Sequence, residues 1–342
     1  MAMRRLARQA RALYSRGMGL VRLVLSLVLG PPVFLLAAVC AGAAVAAQQG
    51  RSSLRWDILA HFAPLWFAGA LAALAVSVLA FSGLARWTVG AVAVAGLVAA
   101  GALMAPELTR STGPHVVGDA PDQIKVLQFN VWSKNPDPEG TVAWIAAQRP
   151  DIAILEETTP AFRRLVEART GWRSLCHDCE VMIYSSLPQR PTRLPELAGR
   201  RPGPLAHAAF EDARGRFTVI GVHNAWPTDE EDQQAQEARL AQVIAAFPRE
   251  RTIVTGDFNS TPWSFSRRRW DKAFGLVRRD RALFSWPAGA VKRGRIRIPF
   301  PILPIDHVYA GPGWATVSVR RGPRLGSDHY PVVAILAPAA PR

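Results

Sequence analysis

Thr252-Ile253-Val254-Thr255-Gly256-Asp257-Phe258-Asn259 is the stretch on which the reading of this chain turns. Its first four residues are all β-branched, with Ile253 and Val254 apolar, and read as a buried strand. The strand runs into two oxygen-bearing side chains, Asp257 and Asn259, spaced to face the same side. Alone, Asp-x-Asn is more often a capped turn than a reactive site. Here the same arrangement recurs along the chain. Residues 125–131 alternate and carry Asn130 near their end, and 151–155 lead into Glu156-Glu157. Residues 217–223 end on His223 with Asn224 next, 305–309 contain Asp306-His307, and Ser327-Asp328-His329-Tyr330-Pro331 precedes the run 332–336. Loops at strand ends are where reactive groups gather. Further strands are expected at 181–185, 207–210 and 315–320, and helices at 140–148, 160–168 and 230–246, which together predict a layered α/β domain.

That domain occupies only part of the 342 residues. The chain is 49% hydrophobic and 20% charged, with a mean hydropathy of +0.09. This excludes both a mainly disordered chain and one that is all membrane. The net charge of +15 favours anionic surroundings, either phosphate esters or lipid headgroups. Residues 1–120 hold ten basic and three acidic residues, so nearly all the acids lie beyond them. Three uncharged apolar runs, about 23–47, 58–83 and 87–105, are each long enough to span a bilayer as a helix. A cleaved signal peptide would explain the first run but not the next two. Pro31 and Pro32 predict a kink or a split in the first span.

Six arginines (Arg4, Arg5, Arg8, Arg11, Arg16 and Arg22) precede the first span, and the loop after it holds Arg51 and Arg55. This asymmetry predicts a cytoplasmic N-terminus. Three crossings then put the rest on the periplasmic or extracellular side of a multi-pass inner- or plasma-membrane protein. The expected organisation is a membrane domain at 1–105, a linker at 106–122 and a catalytic domain at 123–338.

Taken in order, Phe129-Asn130, Pro150-Asp151-Ile152-Ala153-Ile154-Leu155-Glu156-Glu157, Gly256-Asp257-Phe258-Asn259, Ile305-Asp306 and Ser327-Asp328-His329-Tyr330-Pro331 resemble the motifs of the endonuclease/exonuclease/phosphatase superfamily. The resemblance covers about residues 123–337. It implies a four-layer α/β sandwich, with two central mixed sheets flanked by helices, preceded here by the three-helix transmembrane segment. It also implies phosphoester hydrolysis assisted by Mg²⁺ or Mn²⁺. Carried over residue by residue, Asn130 and Glu157 resemble the metal site, with Asp328 near it. Asp257 resembles the aspartate that orients or deprotonates the attacking water, and Asn259 a phosphate contact. His329, held by Asp306, resembles the histidine facing the phosphoryl oxygens, and His223 a second site histidine found in several branches. Two departures stand out. Glu156 occupies the family's usual Gln position, and Asn224-Ala225-Trp226-Pro227 is not the usual nuclease continuation, which leaves the substrate side of that loop open.

Members of the superfamily act on DNA, RNA, inositides or sphingomyelin, so the expected substrate is a phosphoester of nucleic acid or of a phospholipid headgroup. The expected partners are that substrate and the bilayer, with no obligate protein partner implied. Asn224, Arg267 and Arg268, the last two in a basic run near Trp263 and Trp270, are candidate substrate contacts; the basic run also reads as a solvated surface. A phospholipase or headgroup phosphatase is the rival enzyme, and an inactive membrane-bound binding domain the rival of another class. Retention of the whole set of site residues argues against the latter. Cys176 and Cys179 lack the second pair a zinc site needs, leaving a short-loop disulfide or free thiols.

Overall fold

The computed structural model describes residues 2–174, 179–190, 192, 205–289, 291–293 and 296–340. The chain divides into two compact units, Met1–Pro106 and Glu107–Arg342.

The first unit is helical: α1 (Ala2–Ala47), α2 (Leu54–Asp57), α3 (Ala63–Ala80) and most of α4 (Gly83–Thr109). Three stretches, Gly17–Arg51, Leu54–Ala80 and Gly83–Thr109, are long and apolar enough to cross a membrane. Ala37, Ala44, Ala73, Ala93 and Ala100 are buried between helices, while Leu27, Leu79 and Trp87 point outward. Small residues inside and large apolar ones outside suit helices that meet each other closely and face lipid. A Cβ on Gly96 would press on the backbone of Ala41. Helix α1 continues through Pro31 and Pro32 without splitting. In an apolar setting the flanking backbone has no other hydrogen-bond partner, which favours helix on both sides of the prolines.

Helix α4 runs past the expected end at 105 and into the expected linker. Glu107 accounts for the extension. Its buried carboxylate pairs with Arg110 one turn on, at 2.6 Å, and with Arg278 at 2.7 Å.

The second unit is built on two sheets. The first has the order β12-β13-β1-β2-β4-β3, formed by β1 (Ile124–Asn130), β2 (Ile152–Glu156), β3 (Arg173–Ser174), β4 (Val181–Ser185), β12 (Trp314–Arg321) and β13 (Val332–Pro338). The second has the order β5-β6-β7-β11-β8, formed by β5 (Leu205–Asp212), β6 (Gly215–His223), β7 (Thr252–Asp257), β8 (Val277–Arg278) and β11 (Asp306–Ala310). Strands β9 (Val291–Arg293) and β10 (Ile296–Ile298) pair only with each other. Both sheets are mixed: β1 and β2 are parallel, as are β6 and β7, whereas β1 with β13 and β7 with β11 are antiparallel.

Side-chain alternation divides the core into layers. Val126, Ile152, Ile154 and Val181 meet Ala208, Phe217, Val219 and Ile253 between the sheets. On the outer face of the first sheet, Leu127, Phe129 and Leu155 meet α5 (Pro138–Gln148) and α6 (Pro160–Thr170) through Val142, Ile145, Phe162 and Val166. On the outer face of the second, Ile220, Val222 and Val254 meet α7 (Glu230–Ala245) and α8 (Phe265–Phe274) through Leu240, Val243 and Phe274. The result is the four-layer sandwich.

Helix α8 was not expected from the sequence, and it overturns the reading of Arg267 as a substrate contact. The Ser264 hydroxyl caps the helix by accepting from Arg267 N at 3.0 Å. The Arg267 side chain is fully buried, held by Glu237 and by Asp271 at 3.1 Å. Arg268 packs over the Phe265 ring at 4.2 Å and donates to the Ser264 carbonyl.

Candidate active site

Alternation in both sheets aims one row of polar residues into the layer between them. Inward on β1, Val126 is followed by Gln128 and Asn130; on β2, Ile154 is followed by Glu156. From the other sheet, Asp257 ends β7 directly opposite Asp306, which opens β11. The site therefore lies at one end of the inner layer with both sheets as walls. Close approach of β6 and β7 depends on Gly256, where a Cβ would overlap the Val222 carbonyl.

Asp257 Oδ2 is the centre. It accepts from Asn130 Nδ2 at 3.2 Å and lies 3.5 Å from His329 Nε2 and 3.8 Å from His223 Nε2. Its Oδ1 accepts from Asn259 N at 2.8 Å, which fixes the turn after the strand. Each imidazole is backed by a carboxylate: His329 Nδ1 by Asp306 Oδ2 at 2.9 Å, and His223 Nδ1 by Glu180 Oε1 at 2.8 Å. The Ser327 hydroxyl donates to the Asn130 carbonyl and accepts from His329 N, tying the histidine loop to β1.

The electrostatics follow from this packing. Burial opposes ionisation of Asp257 and raises its carboxyl to about 6; His329 pulls against that and Asp306 adds to it. Burial disfavours a charged His329, but Asp306 and then Asp257 outweigh it and raise the imidazole to about 10. Asp306 is itself held below its usual range, because His329 outweighs its burial. For His223 burial again opposes the charge, and Glu180 together with Asp257 reverses the sign, giving a raised pKa.

The adjacent glutamates behave oppositely. Glu156 is fully buried and accepts from Gln128 Nε2 at 3.1 Å; the same amide donates to Asp306 Oδ1 at 2.8 Å. Burial, then Asp306 and Asp257, push its carboxyl well above 4.5. A buried acid whose charged form is disfavoured thus stands where the family usually has Gln. Strict alternation would turn Glu157 toward the helix layer, but its backbone is left-handed, with φ 54°. Its Oε1 accepts from Asn130 Nδ2 at 3.0 Å and its Oε2 from Ser133 N at 3.3 Å.

For a hard divalent ion the fitting donors are oxygens at the rim: the Glu157 carboxylate, 28% exposed, and the Asn130 amide bonded to it. Asp257, Asp306 and His329 also approach within 4.8 Å of one another, as metal ligands do. In that cluster Asp306 and Asp257 favour the protonated form of His329. Asp328, expected near the metal, accepts from Trp286 Nε1 at 3.2 Å through one oxygen, and its other oxygen is buried without a partner among the described residues. Asn224 is buried beside the site: its N–H donates to the Asp257 carbonyl and its own carbonyl accepts from Asn259 Nδ2 at 2.8 Å. Its Nδ2 has no partner among the described residues. Cys179 is disulfide-bonded; Cys176 lies outside the described residues.

Sequence reasoning missed Gln128 and Glu180. Gln128 shares the face of Asn130 two residues on, a signal alternation carries. Glu180 precedes β4 and has no local mark.

A two-sheet sandwich with this row of acids, amides and carboxylate-backed histidines at one end of the inner layer is a phosphoesterase or nuclease type of fold. The chain belongs to the Endonuclease/Exonuclease/phosphatase family, whose pattern it matches over residues 127–329; members are generally hydrolases of phosphoester bonds. Similar solved structures include an endonuclease/exonuclease/phosphatase family protein from Bacteroides thetaiotaomicron, 13% identical, covering 64% of this chain and 98% of that one with a TM-score of 0.50. The endonuclease/exonuclease/phosphatase from Bacteroides vulgatus is 17% identical, with 64% and 99% coverage and a TM-score of 0.50. These likenesses concern the fold. Among curated proteins, no relative matches the chain.

Proposed function

We propose that this chain is a membrane-anchored, Mg²⁺- or Mn²⁺-dependent phosphodiesterase whose catalytic unit faces away from the cytoplasm. The observation that carries the reading is Asp257 Oδ2 ringed by Asn130, His223 and His329, each imidazole backed by its own carboxylate. Ionised above about pH 6, Asp257 takes a proton from the attacking water as its oxygen bonds to phosphorus. His329, charged below about pH 10, faces the phosphoryl oxygens, where negative charge grows. The leaving oxygen departs as the ester bond breaks and takes a proton from His223, which Glu180 keeps supplied with positive character. A divalent ion at Glu157 and Asn130 would add Lewis-acid stabilisation of the phosphoryl group.

The apolar helices favour one narrower reading, a phosphodiester carried on a lipid headgroup, because anchoring in the bilayer raises its local concentration. The outward orientation is supported by the arginine-rich N-terminus and by bonded Cys179, which suits a non-reducing compartment. The test is a panel of single- and double-stranded DNA, RNA, phosphoinositides and sphingomyelin offered to the full chain in lipid nanodiscs with Mg²⁺ or Mn²⁺. Hydrolysis of one class, lost in Asp257→Asn, is expected. No hydrolysis of any member would overturn the reading.

A further inference from the structure

A second pocket, of about 270 Å³, lies within the Glu107–Arg342 unit, lined among others by Thr112, His115, Arg279, Asp280, Arg281 and Thr316. It sits at the far end of β11 from the catalytic row. Asp306 opens that strand and Ala310 closes it, about 13 Å away at the usual strand rise. Arg279 is 3% exposed. Its Nη2 donates to the carbonyls of Ala310, Gly311 and Trp314 at 3.2, 2.8 and 2.9 Å. Its Nε and Nη1 are buried with no acceptor, and no carboxylate pairs with it among the described residues. The Thr316 hydroxyl, also buried and on the same wall, has no partner either.

An unpaired buried guanidinium is costly. Here burial alone pulls the Arg279 pKa down to about 10. Asp280 does not relieve it. One of its oxygens accepts from Val308 N and the other from His307, with Arg278 alongside. At the mouth stand exposed Arg281, whose guanidinium donates to the carbonyls of Leu108 and Arg110, and exposed His115, bonded to the Thr112 hydroxyl at 2.9 Å. The segment carrying Thr112 and His115 is pinned to β12: Thr316 N donates to the Pro114 carbonyl and Val116 N to the Thr316 carbonyl. Gly113 packs over Nη1, where a Cβ would overlap the guanidinium.

We propose that this pocket is a binding site for a tetrahedral oxyanion, a phosphate or phosphate monoester, distinct from the catalytic site. The unpaired Arg279 and Thr316 donors, with the Arg281 guanidinium and the Thr112–His115 pair at the mouth, supply more donors than a halide or a single carboxylate would use. Water would satisfy the hydrogen bonds without neutralising the charge. The ligand is either free phosphate or the headgroup of a monoester lipid, since Thr112 and His115 follow the last apolar helix by three and six residues.

The test uses the full chain in detergent with EDTA. Inorganic phosphate is titrated by calorimetry, and phosphatidic acid is scored against phosphatidylcholine by native mass spectrometry. Arg279→Met loses three carbonyl contacts and could fail to fold, so the deciding variants are Thr316→Val and Arg281→Gln. Each is expected to weaken binding about tenfold, the loss of one charge-assisted hydrogen bond, while Asp257→Asn leaves it unchanged. Phosphate binding alone assigns the free anion. Phosphatidic acid binding displaced by phosphate assigns the headgroup. Binding of neither, equal binding of acetate, or binding insensitive to both deciding variants overturns the proposal.

Discussion

Replacing Arg267 by Met should cost the fold rather than the substrate. The side chain is fully buried and its partner Glu237 is 2% exposed. Two Arg267 nitrogens meet the two Glu237 oxygens, and Nε meets Asp271 at 3.1 Å. The guanidinium also lies over Phe258 and Phe274 at 4.8 and 5.1 Å. Met fills much of that volume and keeps the ring contacts. What it cannot replace is the charge opposite Glu237, whose pKa burial raises even with Arg267 in place. Asp271 suffers less, since it retains Arg278 at 3.2 Å and the Tyr309 hydroxyl at 2.6 Å. Removing one partner of a buried pair costs about 3–5 kcal/mol. In a unit of this size that lowers Tm by roughly 6–20 °C. Removing both, in Arg267→Met/Glu237→Leu, should restore most of the loss because no uncompensated charge remains. The assay is thermal unfolding of the three variants, with kcat and KM measured well below each Tm. A substrate contact would behave the other way. An unchanged Tm with a raised KM for Arg267→Met would refute the structural role, and a double variant no better than the single would refute the charge argument.

Glu156→Gln should flatten a pH slope. Because the folded pKa is raised above 4.5, folding takes up a proton, so stability is full below that pH and falls by about 1.4 kcal/mol per unit above it until the folded pKa is reached. Melting curves in EDTA should show the variant gaining on the parent from pH 5 to 7; parallel curves would mean Glu156 is ionised. Hydrolysis should rise through about pH 6 as Asp257 ionises and fall near pH 10 as His329 loses its proton; a flat profile from pH 5 to 7 in single-turnover rates removes Asp257 as base. Glu180→Gln should lower kcat roughly tenfold with Tm unchanged, and His223→Ala should add little on top of it; multiplying losses in the double variant would separate the two residues. A reporter active only outside the cytoplasm, fused after Arg342, should be on; activity of a cytoplasm-dependent reporter alone reverses the topology.

Residues that obey a period are legible in this chain, and residues that break one are not. Asn130, Asp257 and Asp306 terminate or open apolar alternating runs, so their inward direction follows from the period of two. The same count reaches Gln128. Arg267 was hidden because Arg267-Arg268-Arg269 looks like a charged surface. The helical period separates it from its neighbours: Arg267, Asp271 and Phe274 stand four and seven apart, on the face that α8 buries. Glu180 reaches His223 from the turn before β4, in the other sheet, a contact the packing of the sheets creates. The two glutamates show how far a pattern can go. By alternation Glu156 belongs to the inner layer, and it is there, fully buried with its carboxyl raised. Glu157 comes one residue after the strand and should face the helices, yet a left-handed backbone, φ 54°, brings its carboxylate to Asn130 at 28% exposure. A hard cation needs a reachable carboxylate oxygen, and of this pair only the residue that breaks the strand's period supplies one. The turn after β2 thereby gives two identical side chains opposite work: a buried carboxyl accepting from Gln128 inside, and a partly exposed one at the rim.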